Sequence, residues 1–321
     1  MTQEVVVTQV TLPGASWQLN LAEHREVFPK SALDQAQDLL KRWIAIFPRG
    51  NTWVGFTHKV PSLIVRLDCV LDDAGKLQVF EVEDRPCGIG VASHTVPEFK
   101  ERLNALREEW PAFNWVRAPN RETDDALWLG EGLTLDQAKL TDGLLLVRSR
   151  PEDREFHAFE PRAVSTVQHE GNKRCCADPS ISMYSIIRWV DDPEEQSGGY
   201  IDGLPGGPFM VKPSQGTRAR EVRVYLNGGA PAGIKVAKKD KLSFGDLERW
   251  VRTNRVAVCQ PLIPPMQRDF LPGMNMIYRF FFGYSPKEGG YVPLGGVWMA
   301  LDALVVHGTD KSISGPLVCA D

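Results

Sequence analysis

Apolar positions in this chain fall into a few sharply bounded runs. Leu63–Val70 and Leu77–Val82 flank Asp72-Asp73-Ala74-Gly75, two strand-length runs around a glycine-containing turn, which predicts a β-hairpin. Upstream, Ser31–Phe47 carries Leu33, Ala36, Leu39, Leu40, Trp43 and Ile44 at helical spacing, with Ser31 as N-cap and Asp34 three residues on. Downstream, Val96–Trp110 predicts a second helix, with Pro97 in its first turn and a charged outer face. Val5–Leu12 alternates weakly and reads as a strand. Leu144–Val147 reads as a short buried strand, and Ile181–Val190 fits helix or strand. Glu152–Arg162 is charged and reads as exposed, and DDPEEQSGG (Asp191–Gly199) as an acidic loop.

The last third is patterned more sharply. Phe209–Lys212 is a predicted strand, and Val222–Leu226 and Gly233–Ala237 read as paired strands around NGGAPA. Ser243–Asn254 is a predicted helix opened by Ser243 and Asp246. Val256–Cys259 is a strand ending at QPLIPP, and Met276–Phe282 and Gly296–Val306 are strands on either side of a loop, SPKEGGYVPLG. Strands and helices mix without a regular βαβ rhythm, so the expected class is α+β, built from packed subdomains.

Composition narrows the function classes. The 321 residues suffice for one large domain or a few packed subdomains. With 37 Lys+Arg against 41 Asp+Glu the formal net charge is −4, so no basic field favours nucleic acid as a partner. No apolar run approaches the roughly 18 residues of a membrane-spanning helix, so no membrane partner is expected. MTQEVVVTQV has no basic region ahead of a long apolar core, so no secretory leader is expected either. The cysteines (Cys69, Cys87, Cys175, Cys176, Cys259 and Cys319) include no C-x-x-C pair, and the histidines show no zinc spacing. Read as reduced thiols, they point to a cytoplasmic protein, with a catalytic Cys–His pair left open.

Candidate chemistry gathers at two places. On the hairpin, Asp68 shares a strand face with Arg66, and Glu81 shares one with Glu83. Three carboxylates at one sheet edge repel unless a cation compensates them. Hard oxygen donors on rigid strands suit Mg²⁺, which takes substrate phosphates as further ligands; acids simply facing water are the alternative. Arg85-Pro86-Cys87-Gly88-Ile89-Gly90 follows, an arginine and a glycine-rich bend suited to an anionic ligand. Nearer the other end, Lys212 closes a strand, and Ser214, Gln215, Gly216 and Thr217 form a small-residue loop whose N–H groups could cradle phosphate. A plain turn with an exposed lysine is the alternative there. Arg279 lies within the apolar strand MIYRFFFGY and needs a partner, at minimum a structural ion pair. His307 reads as a turn or packing residue.

RLDCVLDDAGKLQVFEVEDRP resembles the closing signature of the ATP-grasp ligases. In that family an arginine-x-aspartate strand, a short turn and a Glu-x-Asn-x-Arg-Pro strand hold the magnesium of MgATP; Glu83 stands where the family has Asn. PFMVKPSQGTRARE is similar to the family's lysine strand and glycine-rich phosphate loop, here with one glycine. VAVCQPLIPP is similar to its adenine hinge, and GGVWMALDALVVHGT to the strand that leads into the arginine-x-aspartate strand. Because the metal strands come first, the chain resembles a circularly permuted ATP-grasp protein of the glutathionylspermidine-synthase-like arrangement.

The resemblance implies two α+β subdomains sandwiching a nucleotide, with an additional α/β substrate subdomain. Residues 1–95 would be the permuted C-terminal part of the core with the metal strands, 96–200 the substrate or pre-ATP-grasp subdomain, and 201–321 the nucleotide-binding part. It implies Mg²⁺ on Asp68, Glu81 and Glu83, and ATP on Lys212, Ser214, Gln215, Gly216 and Thr217. The adenine would meet the backbone of Cys259, Gln260, Pro261 and Leu262. Lys212 and Arg279 would be catalytic, Arg279 offsetting charge on the transferring phosphoryl group, and Arg85, Arg218 and Arg220 would grip an acidic substrate. Arg218 and Arg220 fit a solvated face equally well. The implied activity is carboxylate–amine ligation through an acyl phosphate, releasing ADP and phosphate, on small-molecule or peptide substrates. A non-catalytic nucleotide-binding protein and an ATP-dependent phosphotransferase are the alternatives.

Overall fold

The computed structural model describes the chain outside residues 1–4, 13–17, 47–61, 84–85, 118–123, 148–162, 166–184, 193–197, 214–221, 230–233, 235, 264–265, 305–310 and 321. Strands β1 (Val7–Thr11), β2 (Gln18–Ala22) and β3 (Glu26–Phe28) lead into helix α1 (Lys30–Ile46). The helix starts one residue ahead of the expected Ser31 cap, with the Pro29 carbonyl accepting from the Ala32 and Leu33 N–H groups. Its stripe of Ala32, Leu33, Ala36, Leu39, Leu40 and Trp43 is buried, as the helical spacing requires. The expected hairpin forms as β4 (Ile64–Leu71) and β5 (Leu77–Glu83). Asp72 shapes its turn by accepting from the Ala74 and Lys76 N–H groups. Gly75 takes φ 75°, a conformation that glycine adopts without steric cost.

Two helices follow, α2 (Ile89–Thr95) and α3 (Pro97–Arg107). A small parallel sheet comes next, made of β6 (Asn114–Val116), β7 (Leu145–Val147) and β8 (Ala163–Ser165), with short helices α4 (Ala126–Leu129) and α5 (Leu135–Leu140) between β6 and β7. The ambiguous Ile181–Val190 segment is strand β9 (Ser185–Asp191) over its described part; Ile187 and Trp189 are buried with the period of two that a strand imposes. Strands β10 (Gly199–Asp202), β11 (Phe209–Pro213), β12 (Arg223–Tyr225) and β13 (Lys241–Leu242), helix α6 (Phe244–Asn254) and strand β14 (Val256–Pro261) follow. Ser243 caps α6, its hydroxyl accepting from the Asp246 N–H as the sequence predicts.

Gly233–Ala237 departs from expectation. Its described positions are not strand, and β12 pairs instead with β11 and with β13. Gly228 and Gly229, at φ 87° and 121°, carry the chain out of the ladder after β12.

The chain ends with β15 (Asn275–Ser285), β16 (Gly290–Leu301) and β17 (Ile313–Cys319). The expected loop SPKEGGYVPLG is mostly strand: β15 and β16 run into it and leave a turn at residues 286–289. Pro293, which argued for a loop, pairs with Phe282 beside a register irregularity, where proline's missing N–H interrupts no regular ladder.

The fold is α+β. The large sheet runs β1-β2-β17-β16-β15-β4-β5, with β3 also on β17, so the end of the chain lies between strands from its beginning. One face, with Val65, Leu67, Cys69, Tyr278, Phe280 and Phe282, shares a core with α1. The opposite face, with Ile64, Phe281, Leu294 and Val297, packs with Ile89, Phe99 and Leu103 of α2 and α3. The second sheet runs β10-β9-β14-β11-β12-β13. Leu247 and Val251 of α6 cover its Ile187, Phe209, Val211 and Cys259 side. By strand alternation Met210, Lys212, Val258 and Gln260 lie on the other side. Val258 joins the core of the large sheet, so the two sheets meet on that side. Among the described residues no helix is long and apolar enough to cross a membrane.

Candidate functional site

Among the described residues, the junction of the two sheets gathers the buried Arg66 and Asp68 with the half-buried Glu81, Glu83, Lys212 and Arg279. Register in the large sheet sets Arg279 opposite Asp68, Asp68 opposite Glu81 and Arg66 opposite Glu83, so the five side chains share one face. Hydrophobic burial of β4 and β15 on the α1 side forces this orientation: with Val65, Leu67, Phe280 and Phe282 turned inward, the alternate residues must turn the other way.

Arg66 is the hub. Its guanidinium, 2% exposed, donates through Nε to Asp68 Oδ1 at 2.6 Å and through Nη2 to Asp68 Oδ2 at 2.9 Å. Nη2 also pairs with Glu83 Oε2 at 3.0 Å, and Nη1 donates to the Cys87 carbonyl at 2.7 Å. A planar guanidinium suits such a fork, and a carboxylate gripped at both oxygens is held strongly. Arg279 Nε stands 3.7 Å from Asp68 Oδ2. Burial alone would raise the Asp68 carboxyl, but Arg66 and Arg279, with a smaller pull from Lys212, hold it below its ordinary value. Burial would likewise lower Arg66, yet Asp68 and Glu83 raise it well above the ordinary guanidinium range. Glu83 goes the other way. Burial, with repulsion from Glu81 and Asp68, pushes its carboxyl up to about 7 despite Arg66.

Lys212 brings the second sheet into this field. Its ammonium donates to Gln260 Oε1 at 2.9 Å, and its charge reaches Asp68. Gln260 is 1% exposed. Among the described residues, its Nε2 and the Nε of Arg279 are buried donors without a hydrogen-bond acceptor. Native interiors leave few such groups unpaired, and each calls for an explanation, an unseen ligand among them.

The sequence-derived residues divide accordingly. Asp68, Glu81, Glu83, Lys212 and Arg279 come together at the junction. The Cys259 side chain points towards α6, where burial raises its thiol. Its backbone lies in ladders with Val211 and Ser185, and the Leu262 N–H donates to the Pro208 carbonyl. Gln260 and Pro261 pair with Met210 and Phe209. Arg85, Ser214, Gln215, Gly216, Thr217, Arg218 and Arg220 lie outside the described residues, as does His307.

The glycine bend after Arg85 does bind an anion, but one from the chain itself. The Asp124 carboxylate accepts from the N–H groups of Gly88, Gly90 and Val91. A Cβ on Gly90 would sit 2.0 Å from the Asp124 carbonyl oxygen, so this close approach requires glycine. The reading of the bend as suited to an anionic ligand is corrected for these three N–H groups, which already have an acceptor within the chain.

Sequence reasoning left Arg66 out of the site, although its i, i+2 spacing to Asp68 was the available signal. It also valued Gln260 for its backbone alone; nothing in the sequence says that the side chain reaches Lys212.

Magnesium can be tested against this donor set. Among the described residues no group of three or more His, Cys, Asp and Glu side chains is arranged to hold a metal ion. The cation that compensates Asp68 is Arg66. Glu81 and Glu83 still offer hard oxygens on one strand face, although burial, the main cause of the raised Glu83 carboxyl, works against its charged form. Such a pair fits Mg²⁺ held through one or two carboxylates with phosphate oxygens as further ligands.

No protein-family model matches this chain, and no curated protein is significantly similar to it. The family reading thus rests on the residues of this chain and their placement.

Proposed function

We propose that the chain is an ATP-dependent carboxylate–amine ligase with a permuted ATP-grasp fold, its nucleotide lying between the two sheets. One observation carries the reading. Lys212 of one sheet and Asp68 and Arg279 of the other converge at the junction, although the sequence places Asp68 far ahead of the other two, and among the described residues the buried Arg279 Nε there has no hydrogen-bond acceptor.

In this reading Lys212 binds the polyphosphate as a point charge. Arg279, held over Asp68, faces the phosphoryl group as it moves to the substrate carboxylate and offsets the charge that develops. Asp68 fixes Arg66 and Arg279, and Arg66 in turn orients Glu83. Glu81 and Glu83 would hold magnesium, which supplies neutralisation of phosphate charge when bound. An amine then displaces phosphate from the acyl phosphate, giving an amide, ADP and phosphate.

Hydroxylamine trapping tests the chemistry. Incubation with MgATP and a panel of amino acids and short peptides is expected to give ADP and a hydroxamate. ADP formation with a phosphorylated alcohol and no hydroxamate would favour a phosphotransferase. ATP binding without ADP would leave a nucleotide-binding protein.

A further inference from the structure

Gln260 occupies a particular place at the junction. It sits diagonally from Lys212 on the shared face of β11 and β14, opposite Met210. On its other side Leu262, Val224 and Ile234 form an apolar cluster with Met210 packed against it. The face thus grades from charge at Asp68, Arg279 and Lys212, through Gln260, to an apolar patch. A ligand lying along it would be anionic at one end and apolar at the other.

The amide is committed at one end only. Oε1 accepts from Lys212, which fixes the orientation of the group and turns Nε2 away as a donor. That donor is buried and has no acceptor among the described residues. Buried donors left unmet are costly and few in native interiors, so this one calls for an acceptor. Gln260 is also neutral. It orients the ammonium without cancelling its charge, which a carboxylate of the same shape would do.

We propose that the Gln260 side chain is a ligand-positioning residue: it holds Lys212 in place for a nucleotide polyphosphate and donates its own Nε2–H to the same phosphate group. This rests on the nucleotide reading of the junction and adds a role for a side chain that the reading does not require. Gln260→Glu replaces the donor with an acceptor and pairs Lys212 with a buried negative charge. Gln260→Met removes both hydrogen bonds at similar volume and covers the case in which the buried carboxylate disturbs folding.

Isothermal titration of the full chain with MgATP and with magnesium tripolyphosphate tests this, with thermal melting as a check on folding. Wild type is expected to bind both probes. Both variants are expected to bind each roughly tenfold or more weakly, the loss that one charge-assisted hydrogen bond represents. Glu is expected to be worse than Met, with melting temperatures within a few degrees of wild type. Wild-type binding with both variants within twofold would overturn the role of Gln260 and leave the nucleotide reading standing. Loss for MgATP with none for tripolyphosphate would place the contact on the base or sugar and overturn the phosphate assignment. Absence of binding by wild type would overturn the nucleotide reading and this inference with it.

Discussion

Arg66 decides more at the residue scale than any acid around it. Removing it leaves the buried Asp68 and the half-buried Glu83 without their main partner, and breaking a buried pair in this way costs about 3–5 kcal/mol. Arg66→Met is therefore expected to lower the urea midpoint sharply, with Arg66→Lys intermediate because an ammonium cannot reproduce the fork. Asp68→Ala is expected to destabilise for the same reason, so lost activity in that variant says little about catalysis.

Glu83 gives a pH signature. Burial raises its carboxyl to about 7 from 4.5, with Arg66 and Arg279 pulling it down and Glu81 and Asp68 pushing it up. Between those values the folded chain keeps a proton that the unfolded chain has lost, so this group makes stability fall as pH rises, levelling off above 7. Asp68, lowered in the fold, acts oppositely: its contribution is present at neutral pH and disappears in acid. Urea denaturation across pH 4.5 to 7 is expected to show a falling component in wild type that is absent in Glu83→Gln. Much of this group was legible in the sequence, because charges at alternate positions of an apolar strand stand out. Their mutual pairing was not: alternation shows that Arg66 and Asp68 share a face, not that a guanidinium rather than an ion offsets the acids.

At the scale of elements, the sequence shows those whose pattern is local. The α1 stripe, the β4–β5 hairpin and the Ser243 cap of α6 each follow from spacing within about a dozen residues. Strands β2 and β3 escape such reading because they are short and partly exposed, and β17 because Gly315 and Pro316 interrupt its pattern; all three are fixed by distant partners, and β3 and β17 pair in parallel from opposite ends of the chain. SPKEGGYVPLG misleads because proline and glycine signal turns locally, whereas burial of Tyr291 and Leu294 holds the segment in the ladder. The same ladder gives a test of how the site is positioned. A Cβ on Gly296 would lie 2.0 Å from the Arg279 carbonyl oxygen, a clash with backbone that no rotamer relieves. Gly296→Ala is expected to cost at least about 1–3 kcal/mol by forcing β16 from β15. It is also expected to weaken MgATP binding through the displaced Arg279, which titration of the folded variant at low temperature would detect. Asp124→Ala strips the acceptor from three N–H groups at the start of α2 and is expected to lower stability by about 0.5–2 kcal/mol, read from thermal melting.

Across the whole molecule, the two ends of the chain are interleaved in one sheet, and a middle segment builds the second sheet that meets it. Cyclic order in the sequence suggested such a meeting, since Lys212, Arg279 and Asp68 gain a common purpose only if the termini approach. How the sheets face each other could not be read from spacing, because it depends on which side of β14 the α6 helix covers. The most direct test of the account is titration of MgATP into wild type, Lys212→Met and Arg279→Met. Wild type is expected to bind, and each variant, altered in a different sheet, to lose roughly tenfold or more while still melting cooperatively as a folded protein. Binding unaffected by either change, or lost with only one of them, would contradict a single nucleotide site shared by the two sheets.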